Sequence, residues 1–207
     1  MKHSPLIVLA LLLLAIGASG QEEPVVRKND VGFSTQFFNN SQPPYLLMYK
    51  RMVAPAMALR VGMAVSITTQ RTNPQDNNTN YSTLTNSSFA PSLGLEWQKS
   101  FAKNFTLYFG ADFRYSVYSN KSEIFTSNIL VRQIFQDSKY YILSPLLGLR
   151  YNIIDQLYVA TEVNLNLGYF ESTYTNTDIP GSTAVNKSYG YQAILQPAVG
   201  LFFFYRF

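Results

Sequence analysis

Met57-Ala58-Leu59-Arg60-Val61-Gly62-Met63-Ala64-Val65-Ser66-Ile67-Thr68 alternates without a break: every odd position is a large apolar residue and every even one is small or polar. A period of two puts the odd side chains on one face of an extended strand and the even ones on the other. The same pattern returns in Phe105 to Val117 and in Leu157 to Tyr169. Shorter alternating runs cover Phe89 to Trp97, Tyr141 to Tyr151 and Ala193 to Phe207, with weaker ones at Val31 to Phe38 and Pro43 to Tyr49. Eight strands follow from this count.

A repeat supports it independently. Segments beginning at Pro43, Pro91, Pro145 and Pro197 share a proline, a leucine four residues on and an aromatic six residues on. Each copy but the last is followed by a short connection and a long alternating strand, so the unit is a hairpin and four copies again give eight strands. Proline cannot donate to a ladder, and these prolines are expected at the outer rim.

Alternation alone does not distinguish a sandwich in water from a barrel in lipid; the polar face decides. In the six clear strands all the charges (Arg60, Glu96, Asp112, Arg114, Arg150, Glu162 and Arg206) fall on even positions, among Gly62, Ala64, Gly94, Gly110, Gly148 and Gly168. Small residues suit a narrow interior, and bulky ring-tipped ones suit an exterior that faces hydrocarbon. Lipid also demands closure, because every backbone N–H and C=O must be paired where no water reaches. The expectation is an all-β, closed, eight-stranded antiparallel up-and-down transmembrane β-barrel over residues 29–207.

Composition agrees with this reading. The 207 residues are 47% hydrophobic and 14% charged, with 15 Tyr and 15 Phe, against roughly a quarter charged in soluble domains. Met1-Lys2-His3, the apolar run Pro5 to Ile16 and Ala18-Ser19-Gly20 read as a cleaved signal peptide over residues 1–20, followed by a polar lead-in over 21–30. The run is too short for a spanning helix, and export to the cell outer membrane is the localisation implied. Connections at Met52 to Ala56, Gln98 to Asn104 and Asn152 to Gln156 are short. Gln70 to Ser88, Ser119 to Lys139 and Glu171 to Ser188 are expected as long Asn-, Thr- and Ser-rich loops, with short turns in the periplasm and loops outside. Tyr49, Trp97, Phe105, Tyr151, Tyr205 and Phe207 gather at the short-turn ends as an interfacial belt.

With its signal peptide and a last strand whose Val199, Leu201, Phe203 and Tyr205 end on Phe207, the chain resembles the small outer-membrane β-barrels of Gram-negative bacteria, of the OmpA/OmpX kind. The resemblance implies that Phe203, Tyr205 and Phe207 form the signal read by the barrel-assembly machinery, with outer-membrane lipid as the other partner and a monomeric state. It is specific for architecture and weak for activity, since this fold hosts anchors, adhesins, enzymes and transporters.

Chemistry is limited by what is missing. There is no cysteine, and the single histidine, His3, lies in the signal peptide. Thiol nucleophiles, histidine bases and soft-metal sites are therefore excluded, and neither enzymatic activity nor a metal or other cofactor is expected. No nucleic-acid motif is present. What remains is a lumen. Arg60, Glu96, Asp112, Arg114, Arg150 and Glu162 should form one inward ion-pair network, because an unpaired buried charge is costly. Tyr108, Tyr158, Phe202 and Phe204 should plug the periplasmic side. Above them, small and neutral inward residues predict an uncharged water-filled vestibule with Asn164, Asn166, Gln192 and Gln196 as its convergent polar groups. A structural or surface-display barrel, binding an extracellular ligand through its loops if at all, is the leading function, and a small-molecule carrier or narrow channel is the alternative.

Overall fold

The computed structural model describes residues 29–36, 45–72, 80–179, 181–196 and 200–207. The signal-peptide assignment, most of the lead-in, and Pro43 and Pro197 lie outside the described residues. Nine strand segments follow one another: β1 (Asn29–Gln36), β2 (Tyr45–Ala54), β3 (Met57–Thr72), β4 (Tyr81–Ala102), β5 (Phe105–Thr126), β6 (Ile129–Asn152), β7 (Leu157–Asp178), β8 (Thr183–Gln196) and β9 (Gly200–Arg206). Neighbours pair antiparallel from β1 to β8, and β9 lies between β7 and β1. Segments β8 and β9 both run along β7 and together take the eighth place, so the ring has eight strands. Asn29 and Phe207 exchange backbone hydrogen bonds of 2.9 and 2.8 Å at its seam.

The register fixes the shear. Followed one way through paired neighbours, Asp30 leads through Lys50, Arg60, Gly94 and Asp112 to Ser144, which the register of the flanking pairs Leu143↔Leu167 and Leu146↔Asn164 sets level with Asn166 on β7. Followed the other way it leads through Arg206 to Gln156 at the foot of β7. The offset from 156 to 166 is ten residues. With a rise of about 3.3 Å per residue and about 4.8 Å between strands, eight strands with that shear tilt by about 41° around a backbone radius of about 8 Å.

Face assignment follows the alternation throughout the ring. Lys50, Arg60, Ala64, Glu96, Tyr108, Tyr158 and Phe204 are buried inside, whereas Val61, Leu93, Phe113, Leu147 and Leu165 stand exposed outside. At the short-turn end Phe105 packs 4.9 Å from Tyr151, and Trp97 stacks 5.9 Å from Phe109. A second aromatic row, absent from the sequence reading, crosses the outside of four strands: Tyr115 to Tyr141 at 5.3 Å, Tyr141 to Tyr169 at 6.3 Å and Tyr169 to Tyr191 at 5.4 Å. Phe105 to Tyr115 on β5 and Tyr141 to Tyr151 on β6 each span ten residues. At the tilt above this is about 25 Å of height, the apolar band of a bilayer-spanning barrel.

Three sequence expectations are corrected by the strands' length. The supposed loop Ser119 to Lys139 is a continuation of β5 and β6, paired up to Thr126 and Ile129 and closed by Ser127-Asn128. Both turn residues have positive φ, 52° and 64°, the geometry of a type I′ hairpin. Likewise β3 and β4 stay paired to Thr72 and Ser82, and β7 and β8 to Thr177 and Thr183. These extensions scatter their apolar residues, such as Leu84, Ile124, Phe125, Ile134 and Phe135, over both faces among polar ones, so they lack the alternation that reveals a half-buried strand.

The two repeat prolines among the described residues are not at a rim either. Pro91 faces Met63 and Pro145 faces Ala111 in mid-strand. On their other side the ladder lapses, from Phe89↔Val117 to Ser92↔Arg114 and from Leu143↔Leu167 to Leu146↔Asn164. The missing N–H has been placed where no bond is made.

Candidate functional site: the lumen

Alternation sends the even side chains of all eight strands into a cylinder too narrow for them to avoid one another. At the short-turn end they form a plug. Tyr158 stacks on Phe204 at 4.8 Å, Phe204 on Phe202 at 6.1 Å, and the ammonium of Lys50 lies 4.5 Å above the Phe204 ring and 4.8 Å from that of Tyr108. Two glycines make room: a Cβ on Gly148 would run into the Tyr108 ring, and one on Gly32 into that of Phe204. The four expected plug residues are therefore together, three of them fully buried and Phe202 packed against the cluster.

Arg60 is the hub of the charges. Its NH1 donates to Glu96 Oε2 at 2.7 Å and to Glu162 Oε1 at 2.9 Å, and its NH2 to Glu162 Oε2 at 3.0 Å, so Glu162 is held in a two-pronged grip. Its Nε lies 3.0 Å from Asp112 Oδ1, within ion-pair range but not aligned as a hydrogen bond. Lys50 Nζ donates to Glu96 Oε2 at 2.8 Å, and the Tyr108 hydroxyl to Glu162 Oε1 at 2.9 Å. Arg60 is 1% exposed and Glu96 0%, so the cluster sits in a medium where removal of one partner costs far more than at a surface.

Of the six expected members four are joined, and Lys50 makes a fifth through Glu96. Arg60, Glu96, Asp112 and Glu162 meet directly. Arg150 does not join them by ion pairs: its NH2 donates to Gln98 Oε1 at 2.9 Å and its guanidinium lies 4.9 Å from the Tyr158 ring, while Gln98 Nε2 donates to Glu96 Oε1 at 2.6 Å. An amide relay, not a charge, connects it. Arg114, one turn of the pleat above Asp112, makes no ion pair among the described residues and faces the space above the plug. Lys50, inward by its parity, was not counted in the expected network, and Asp30 was missed. Asp30 accepts from Tyr158 OH at 2.7 Å and from Arg206 Nε at 2.8 Å, tying the first strand to the last. Both lie on even positions of β1 and β2, the two weakest alternations, and that parity was the signal available for both.

Above the plug is a cavity of about 610 Å³ whose lining includes Ser66, Ser92, Ser116, Asn164, Gln192 and Gln196. The vestibule is therefore present, with two corrections. Asn166 does not line it: its side chain is engaged by Ser144 Oγ at 2.6 Å and by Gln196 Oε1 at 3.1 Å. Nor is it uncharged, since Arg114, Asp112, Arg60 and Glu162 reach its floor. Tyr118 stands at its edge with its hydroxyl on Asn86 at 3.0 Å and does not fill it. On the outside, Phe203 stacks on Phe33 at 5.6 Å and Tyr205 lies 6.5 Å from Phe207, so the three terminal aromatics share the outer surface at the seam.

No protein-family model matches the chain, and no curated protein matches it. Among solved structures it is similar to a major outer membrane protein from Thermus thermophilus, with 14% identity, a TM-score of 0.55, and coverage of 88% of this chain and 100% of that one. Acinetobacter baumannii CarO (14% identity, TM-score 0.39, covering 91% and 99%) and CarO2 (11%, 0.40, 89% and 100%) are also found. At such identities the Thermus likeness is one of fold, and together with the shear, the apolar girdle and the inward charges it makes the architecture that of an outer-membrane β-barrel.

Proposed function

We propose that the chain is an integral outer-membrane protein of the small OmpA/OmpX kind that serves as a sealed, surface-displaying barrel and not as a channel. The girdle between the two aromatic rows sits in the bilayer, the short turns face the periplasm, and the paired extensions of β3 to β8 project outside. From Tyr115 to Thr126 is eleven residues, so the β5–β6 hairpin stands about 27 Å above the outer interface at the tilt given. Lipid and the assembly machinery are its partners in reaching that state, and its hairpins are the surface it offers.

The observation that carries this reading is the plug: stacked rings and a buried ion cluster pack into the lumen on the short-turn side. Two measurements test it. Refolded protein in planar bilayers should show no sustained conductance steps, and discrete steps would overturn the sealed-barrel reading. Because the chain has no cysteine, Asn128→Cys should react with a membrane-impermeant maleimide on whole cells, whereas Asn104→Cys should react only after the outer membrane is permeabilised. The reverse labelling would invert the orientation.

A further inference from the structure

The geometry points to the cavity above the plug as a binding site for a neutral, polyhydroxylated ligand of the size of a mono- or disaccharide. About 610 Å³ lies within the roughly 300–1,000 Å³ of small-molecule sites, and it is closed on the short-turn side. Two of its groups lack partners. Asn164 Oδ1 is a buried acceptor with no hydrogen bond, and Arg114 has neither an ion pair nor a side-chain hydrogen bond among the described residues. A buried amide oxygen without a donor costs about 1–3 kcal/mol, which a ligand hydroxyl would relieve when the Asn164 amide turns toward the cavity that its residue lines.

Charge selects the ligand class. The ionised groups that line the floor are Arg60 and Arg114 against Asp112 and Glu162, two cations against two carboxylates. The floor is electroneutral, so an anion or a cation entering it would bring a charge that no group of the floor is left over to compensate. A hydroxyl group suits it better, since each can donate to Asn164 or Asp112 and accept from Arg114 or Gln192 without disturbing the balance. The serine hydroxyls of the wall offer the same two-way bonding, and Tyr118 and Tyr140 supply ring surface beside it.

This inference rests on the lumen being sealed below; bilayer conductance tests that premise separately, so failure of the one is distinguishable from failure of the other. Calorimetric titration of the refolded barrel, in micelles free of glycolipid, would use glucose, maltose and glucuronate as probes. Glucose or maltose should bind, with glucuronate at least about tenfold weaker than glucose. Asn164→Leu and Arg114→Met should each weaken sugar binding by about tenfold, and Ser116→Trp, which fills the cavity from the wall, should abolish it. Cooperative urea unfolding of each variant certifies its fold. No measurable binding of either sugar, a preference for glucuronate, or undiminished binding by a folded Ser116→Trp would overturn the assignment.

Discussion

Arg60→Met removes the hub of the lumen while roughly keeping its volume. Glu96 retains Lys50 at 2.8 Å, but Glu162 is left with only the Tyr108 hydroxyl, and Asp112 loses its sole ion pair among the described residues. Breaking one buried pair costs about 3–5 kcal/mol, and two carboxylates are orphaned here, so the upper part of that range is expected. With a urea dependence of about 2 kcal/mol per molar, the unfolding midpoint should fall by roughly 2 M. Trp97 is the only tryptophan and stacks on Phe109 outside the barrel, so its fluorescence reports unfolding in micelles or vesicles without an added label. The double variant Arg60→Met/Glu162→Gln should regain part of the loss, because it removes a charge that the single variant strands. A single variant within about 0.5 kcal/mol of wild type, or a double variant less stable than the single one, would show that the cluster is solvated and the reasoning wrong.

Gly148→Val should destabilise by about 1–3 kcal/mol, since its side chain must displace the Tyr108 ring; an unchanged urea midpoint would mean that the plug is loose. Replacing Phe207 with Asp should lower the amount of barrel inserted in cells at constant transcript level, and normal surface levels would refute the role given to the terminal aromatics. In vesicles, Trp97 should be quenched more strongly by lipids brominated near the headgroup than by those brominated at the chain end. The opposite order would displace the girdle from the bilayer position assigned to it.

How far the sequence could be read depended on which faces differ. Where one face meets hydrocarbon and the other a narrow lumen, as in Met57 to Thr68, alternation fixed the strand, its orientation and the inward fate of Arg60. Past Tyr115 and Tyr141 polar and apolar residues mix on both faces, so Ser119 to Lys139 looked like a loop although the ladder continues without interruption to Ile124 and Arg132. Contact between inward residues depends on the shear, a sum of eight registers that no single strand encodes. For that reason the meeting of Arg60 with Glu162, 102 residues away, could be expected only as membership of a set. Arg150 was misplaced for the same reason: it lies on the correct face but too near the short-turn end to reach the carboxylates.

The change of register at the end of the chain has a consequence for how such a barrel can vary. From Gln196 to Phe202 the last strand advances six residues while β7, from Asn164 to Ala160, advances four, so two residues are gained and both Gln196 and Phe202 still point inward. Single-residue irregularities among the described pairs occur at Met52/Ala54, Ser100/Ala102 and Ile124/Phe125, all beside turns and away from the middle of the girdle. One extra residue at mid-height would send a strand's leucines into the ion cluster and its charges into hydrocarbon. Insertions and deletions in the spanning region should therefore be tolerated in pairs and rejected singly, while the projecting hairpins can lengthen or shorten by any number.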